Sequence, residues 1–331
     1  MKDLRAALKE NYSLDYLDSE RIQYGLWEEN YRVETLQGTF FVKRFWREVR
    51  LERSYPEMVD GLILSQDLRQ VGIPAPLLIK DKAGQVLSKH GERTYQVNEW
   101  LEGRTYRPGD LPDQAAYQMG RLLGELHLKM NPTLESSRLD PLDLNQAYKA
   151  KLSHETDLKA GLIDEEDLVL SHFYGQLEAL RGHFHKDLRP KSYRGRVYNS
   201  FWVEQVMFDE NDQVKGLIDW TDGAGRQGYL IQDIDTAIFV SAFKTQAIVA
   251  FARGYQEVLP MALEDWMDLI EYTCIHHLAN EWIYTSWLKQ TCNRYDHWKT
   301  MAKRWLEAVD YRAKHMKAIQ EALSQALSQE A

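Results

Sequence analysis

The sequence predicts an α+β chain of two lobes, a small β-rich lobe over residues 1–100 and a larger, mostly helical lobe over 101–331. Three observations carry this. The chain has 331 residues, and a domain usually takes roughly 150. Short runs of β-branched and aromatic residues crowd the first third. Apolar residues at helical spacing dominate the remaining two thirds.

Tyr31–Leu36 and Thr39–Phe45 read as two strands of a hairpin, with Gln37-Gly38 as its turn. Side chains alternate along a strand, so Phe41, Lys43 and Phe45 share one face. Residues 57–71 read as a helix with Met58, Leu62, Leu64 and Leu68 near one stripe. It stops at Gly72-Ile73-Pro74-Ala75-Pro76, where a glycine cap precedes prolines that cannot continue it. Further strands are expected at Leu77–Lys80 and Thr94–Trp100. A buried helix is expected over Gln114–His127, from the spacing of Ala115, Met119, Leu122, Leu123 and Leu126. Val203–Phe208 and Val214–Asp219 read as a strand pair joined by Asp209-Glu210-Asn211-Asp212. Amphipathic helices run to the end, the last over Tyr311–Leu327.

Composition excludes several classes. Lys+Arg 41 against Asp+Glu 50 leaves a net charge of −9, the wrong sign for a duplex-binding surface. Cys274 and Cys292 are the two cysteines, too few for a disulfide scaffold, and they point to a reducing compartment. Charge in the first turn and no apolar run behind it argue against a signal peptide. No stretch approaches the ~18 apolar residues of a membrane span. The expectation is a cytoplasmic protein without nucleic-acid or membrane partners.

Phosphoryl transfer needs a lysine on a strand to hold phosphates, a carboxylate for a divalent cation, and usually a carboxylate to accept the acceptor's proton. Lys43 lies on a strand of the small lobe, and Asp219 ends the apolar run Leu217-Ile218. With their surroundings they resemble the aminoglycoside phosphotransferase and choline kinase group of small-molecule kinases. The resemblance runs from Gln23 to Gln256. It includes Glu29-Asn30-Tyr31-Arg32-Val33, Phe41-Val42-Lys43, Gly72-Ile73-Pro74-Ala75-Pro76 and the hinge-like Asn98-Glu99-Trp100-Leu101-Glu102-Gly103. It continues through Gly120–His127, Val206–Trp220 and Asp233, which stands where the family carries a structural aspartate. The resemblance implies a bilobal protein-kinase-like fold, with catalytic loop and metal strand over residues 183–235. It also implies ATP and Mg²⁺ as cofactors, and Lys43, Asn30, Glu99 and Trp100 as nucleotide-binding residues.

The chain departs from the family at working positions. The family's loop reads His-Gly-Asp-Leu-His-Pro-Gly-Asn and runs into the metal strand. Counting back from Asp219 without a gap puts Ser200 in the place of the catalytic aspartate and Gln205 in that of the metal-binding asparagine, with Asp219 as the second metal ligand. A rival alignment makes His185-Lys186-Asp187-Leu188-Arg189-Pro190 the loop, with Asp187 as base and an insertion before Val206. The lysine's usual helical partner falls on Gly61, with Asp60 and Glu57 nearby, and only Gly25 marks the glycine loop.

Two functions stay open: an ATP- and Mg²⁺-dependent kinase acting on a hydroxyl of a small molecule, and a pseudokinase that binds nucleotide or a protein partner without transfer. Glu264, Asp265, Asp268 and Glu271 form either a solvated helix face or an attraction for a cationic acceptor. Trp266, Trp282, Trp287, Trp298 and Trp305 either wall an acceptor pocket or pack helices together. His276 and His277 are neighbours on a helix and should point to different faces, which argues against a metal pair.

Overall fold

The structure is a computed structural model that describes residues 2–22, 28–45, 51–139, 168–180, 190–241, 243–279 and 295–328, with Lys149 and Thr156. It is α+β, with an antiparallel sheet in the N-terminal region and a helical C-terminal part. The chain divides into two compact units. One comprises Met1–Tyr106, Glu125–Pro132 and Gly195–Gly228, and the other comprises Arg107–Gly124, Thr133–Arg194 and Tyr229–Ala331.

In the first unit, helix α1 (Lys2–Tyr12) is followed by strands β1 (Tyr16–Ile22), β2 (Glu28–Thr35) and β3 (Gly38–Phe45). Helix α2 (Leu51–Gln70) then leads to β4 (Leu78–Ile79), β5 (Ser88–His90) and β6 (Arg93–Glu99). The strands form an antiparallel sheet in the order β1-β2-β3-β6-β4, and β5 also pairs with β6. Period-two alternation sorts its side chains. Tyr31, Val33, Val42, Tyr95 and Val97 close a core against Leu4, Ala7, Leu8 and Tyr12 of α1. The cross-strand register sets Asn30, Lys43 and Gln96 in one row, next in strand to Tyr31, Val42 and Val97 and therefore on the opposite face. One face is thus an apolar core and the other presents polar groups.

The same unit holds a hairpin of β9 (Val206–Phe208) and β10 (Val214–Leu217). Asp209 shapes its turn by accepting the backbone N–H groups of Asn211 and Gln213. The sequence expects a strand from Val203. Instead Val203–Gln205 is a turn of 3-10 helix, because the Gln205 N–H closes onto the Trp202 carbonyl at 2.9 Å.

The second unit contains the start of α3 (Asp113–Met130), strand β7 (Glu135–Arg138), helix α4 (Leu168–Ala179) and most of β8 (Lys191–Arg196). After β11 (Gln227–Tyr229) come α5 (Leu230–Val240), α6 (Thr245–Gln256), α7 (Leu263–Ala279) and α8 (Tyr295–Ser328). Helices α3 and α6 cross at glycines. A Cβ on Gly120 would stand 2.1 Å from the Phe251 carbonyl oxygen, and one on Gly254 would stand 2.1 Å from that of Tyr117. Asp233, fully buried, sits in the first turn of α5, where a negative charge complements the helix dipole. The last helix is longer than its apolar stripe predicts, beginning at Tyr295 rather than Tyr311. Trp266 and Trp305 are core residues; Trp282, Trp287 and Cys292 lie outside the described residues. Among the described residues, no helix is long and apolar enough to cross a membrane.

Candidate active site

Lys43 is 4% exposed on the polar face of the first unit's sheet. A buried ammonium is tolerated only when paired, and its partner is Asp219, with Nζ 2.5 Å from Oδ1. Nζ also lies 5.9 Å from the Phe45 ring centroid and 3.4 Å from Thr221 Oγ1. The Asp219 carboxylate is held from several sides. Thr221 Oγ1 donates to Oδ1 at 3.0 Å and Gln205 Nε2 to Oδ2 at 3.3 Å. Its backbone adopts φ 68°, a left-handed conformation that aspartate tolerates better than most residues. The Tyr198 hydroxyl secures that kink by donating to the carbonyls of Ile218 and Asp219.

The loop before the hairpin is built to match. Tyr198 packs edge-on against Trp220 and Phe201. Asn199, at φ 76°, donates its side-chain amide to the Asp222 carbonyl at 2.6 Å. Ser200, 3% exposed, donates its hydroxyl to Asp222 Oδ2 at 3.1 Å. The 3-10 turn then carries Gln205, whose carbonyl accepts the Ile218 N–H at 2.9 Å.

Gly61 has a steric reason. A Cβ there would stand 2.2 Å from the Trp220 carbonyl oxygen, so α2 seats directly on the backbone beside Asp219 and leaves no space for a carboxylate. Asp60 and Glu57 are exposed on α2. Lys43 meets the carboxylate of Asp219.

Lys43, Gln205 and Asp219 are thus in direct contact, with Asn30 beside Lys43 in the sheet register. Ser200 is joined to Asp222. The Glu99 carboxylate takes the Leu77 N–H at 2.6 Å and Arg69 at 3.1 Å, and Trp100 donates to Glu102 at 2.9 Å. Asp187 and Gly25 lie outside the described residues. The sequence reading missed Thr221 and Asp222; the signal available was two polar residues immediately after the Asp219-Trp220 pair.

The second unit holds another polar cluster. His276 Nδ1 lies 2.6 Å from one oxygen of Asp235, and His277 Nε2 lies 3.2 Å from the other. The two rings therefore converge instead of diverging as their helical positions predict, and their ligand-type atoms lie within 4.8 Å of one another. A carboxylate only accepts, so each facing nitrogen carries the proton. Burial would raise the Asp235 carboxyl, but the charges and N–H groups of His277 and His276 outweigh it and hold it well below the usual carboxylate range. Burial holds His277 below its ordinary value. Phe239 stacks on His277 at 3.6 Å, and the Arg312 guanidinium lies 4.9 Å from the Phe239 ring. Two imidazole N–H groups on one carboxylate satisfy this geometry, and the same three groups are a set that could hold a metal ion. Burial pushes the neighbouring Cys274 thiol up to about 12, far from a reactive thiolate. On the acidic face of α7, burial and then the charges of Asp265 and Glu271 raise the Asp268 carboxyl.

With this geometry in view, residues 20–270 match the phosphotransferase enzyme family. The chain belongs to that family. A homoserine kinase of Methylobacterium radiotolerans is 23% identical over 260 residues, covering 74% of this chain and 73% of the relative. The fold is similar to that of a spectinomycin phosphotransferase solved with ADP and spectinomycin (TM-score 0.64, 14% identity, 97% of this chain and 98% of that one). It is also similar to that of an amicoumacin kinase solved with AMP-PNP and Ca²⁺ (TM-score 0.59, 13% identity, 93% and 92% covered). At these identities the solved structures speak for the fold, and the family assignment rests on the sequence match.

Proposed function

We propose that this phosphotransferase-family protein moves the γ-phosphoryl group of ATP, with Mg²⁺, onto a hydroxyl of a small molecule. The observation that carries the reading is the contact of Lys43 with Asp219, a buried phosphate-binding type of cation against a metal-binding type of carboxylate. Related proteins named for homoserine and spectinomycin kinase activities support the class of acceptor.

Gln205 and Asp219 supply amide and carboxylate oxygens, hard donors that suit Mg²⁺. The Gln205 amide presents Nε2 to Asp219, and a half-turn about its terminal bond brings Oε1 to the same side. Bound there, Mg²⁺ would neutralise charge on the β- and γ-phosphates. Lys43, released from Asp219, would bind phosphate oxygens, and Thr221 would keep the carboxylate oriented. Asn30 flanks the phosphates, and the segment at Glu99 and Trp100 takes the base.

Purified protein with ATP, Mg²⁺ and a panel of homoserine, choline, aminoglycosides and sugars is expected to release ADP with at least one acceptor. Asp219→Ala is expected to abolish that release. No turnover with any of them overturns the reading.

The serine at position 200 favours a second reading, a pseudokinase that binds nucleotide without transferring it, because a hydroxyl at neutral pH accepts a proton only when a neighbouring base activates it. That reading predicts an ATP-dependent rise in melting temperature with no ADP release.

A further inference from the structure

We propose that Ser200 and Asp222 together take the place of the catalytic aspartate, Ser200 touching the acceptor hydroxyl and Asp222 acting as the positioning residue that receives the proton through it. The inference rests on the phosphotransferase reading and deepens it at the same site.

Ser200 Oγ donates to Asp222 Oδ2 at 3.1 Å, so its proton already points at the carboxylate and an oxygen lone pair remains for a second partner. Ser200 is 3% exposed and Asp222 is half-buried, so the hydroxyl is held in place while the carboxylate keeps a path to solvent. Asp222 is fixed by its own backbone, since its carbonyl takes the Asn199 amide at 2.6 Å and Asn199 immediately precedes Ser200. The left-handed backbone of Asn199, at φ 76°, turns the chain so that neighbouring side chain and backbone bonds both reach Asp222. A carboxylate thus stands one hydrogen bond behind the hydroxyl. This is the arrangement that activates a weak nucleophile or proton carrier through an oriented base.

The step balances. The acceptor oxygen forms a bond to the γ-phosphorus while the bond from that phosphorus to the bridging oxygen of ADP breaks, its electron pair leaving on ADP. The acceptor proton passes to Ser200 Oγ as the serine proton passes to Asp222 Oδ2. Asp222 afterwards yields it to water.

The test measures ADP release with the best acceptor from the panel above, alongside the melting-temperature shift caused by AMP-PNP and Mg²⁺. Asp222→Asn is expected to lower kcat by about 10²–10⁴, the usual size of a general-base effect, with KM for ATP and the nucleotide-induced shift unchanged. The exchanged double variant, Ser200→Asp with Asp222→Ser, keeps one carboxylate and one hydroxyl in the pair and is expected to recover most of the lost kcat. Wild-type kcat in Asp222→Asn overturns the proposal and leaves the phosphotransferase reading standing. So does loss of kcat together with the nucleotide-induced shift, or an exchanged variant that folds and stays as slow as Asp222→Asn. Absence of turnover in the wild type overturns both.

Discussion

At the scale of single residues, the site turns on how one carboxylate is shared. Asp219 accepts from Lys43, Thr221 and Gln205 at once, so its charge is spoken for before any nucleotide arrives. Removing one member of a buried pair typically costs about 3–5 kcal/mol, and partial exposure of the Asp219 side chain puts this pair at the lower end. Lys43→Met is therefore expected to lower the melting temperature, measured by calorimetry, as well as to abolish ADP release. A variant as stable as the parent would mean that the pair contributes nothing to the fold. Lys43 stood out in the sequence as a position on a strand and Asp219 as the polar end of an apolar run; the structure brings the two into contact, though the strand expected to reach Asp219 stops at Leu217. The Ser200–Asp222 bond was not legible, since across a separation of 22 positions nothing announces which polar residues a kinked loop will bring together.

At the scale of elements, close approach explains what patterning left unaccounted for. Gly61 reads in the sequence as a missing partner for the lysine; in the structure it is the point where α2 rests on the Trp220 carbonyl. Gly61→Ala is expected to destabilise by about 1–3 kcal/mol, the usual cost of an added methyl group in a packed interior, seen as a lower denaturation midpoint in urea. An unchanged midpoint would show that α2 is free to shift. The antiparallel hairpin was legible because alternation and a turn glycine agree. The 3-10 turn at Val203–Gln205 was not, because three residues are too few to reveal a period and its apolar-polar start imitates a strand. The early start of α8 was hidden for the opposite reason: the stretch from Tyr295 is charged and aromatic by turns, so its stripe is ragged.

At the scale of the whole molecule, stability should depend on acidity through the Asp235 cluster. His277 titrates below its ordinary value in the folded chain because it is buried. Its contribution is complete above about pH 6.5 and declines as the pH falls below that. Asp235, held low, contributes above about pH 3.9 and is lost only as the pH drops further, toward its folded value. The melting temperature is therefore expected to fall between pH 7 and pH 5, and His277→Gln should flatten that slope relative to the parent. An identical slope in the variant would assign the acid sensitivity elsewhere. The α+β class was readable from the change of hydrophobic period along the chain, whereas the convergence of two adjacent imidazoles on one carboxylate depends on where α5 runs beside α7. The seat of α2 has one more consequence. In a kinase whose lysine answers to a glutamate on a mobile helix, sliding that helix acts as a throttle. In this chain the described contact of α2 beside the site is Gly61 on the Trp220 carbonyl, so a shift of α2 would press on the backbone that carries Asp219.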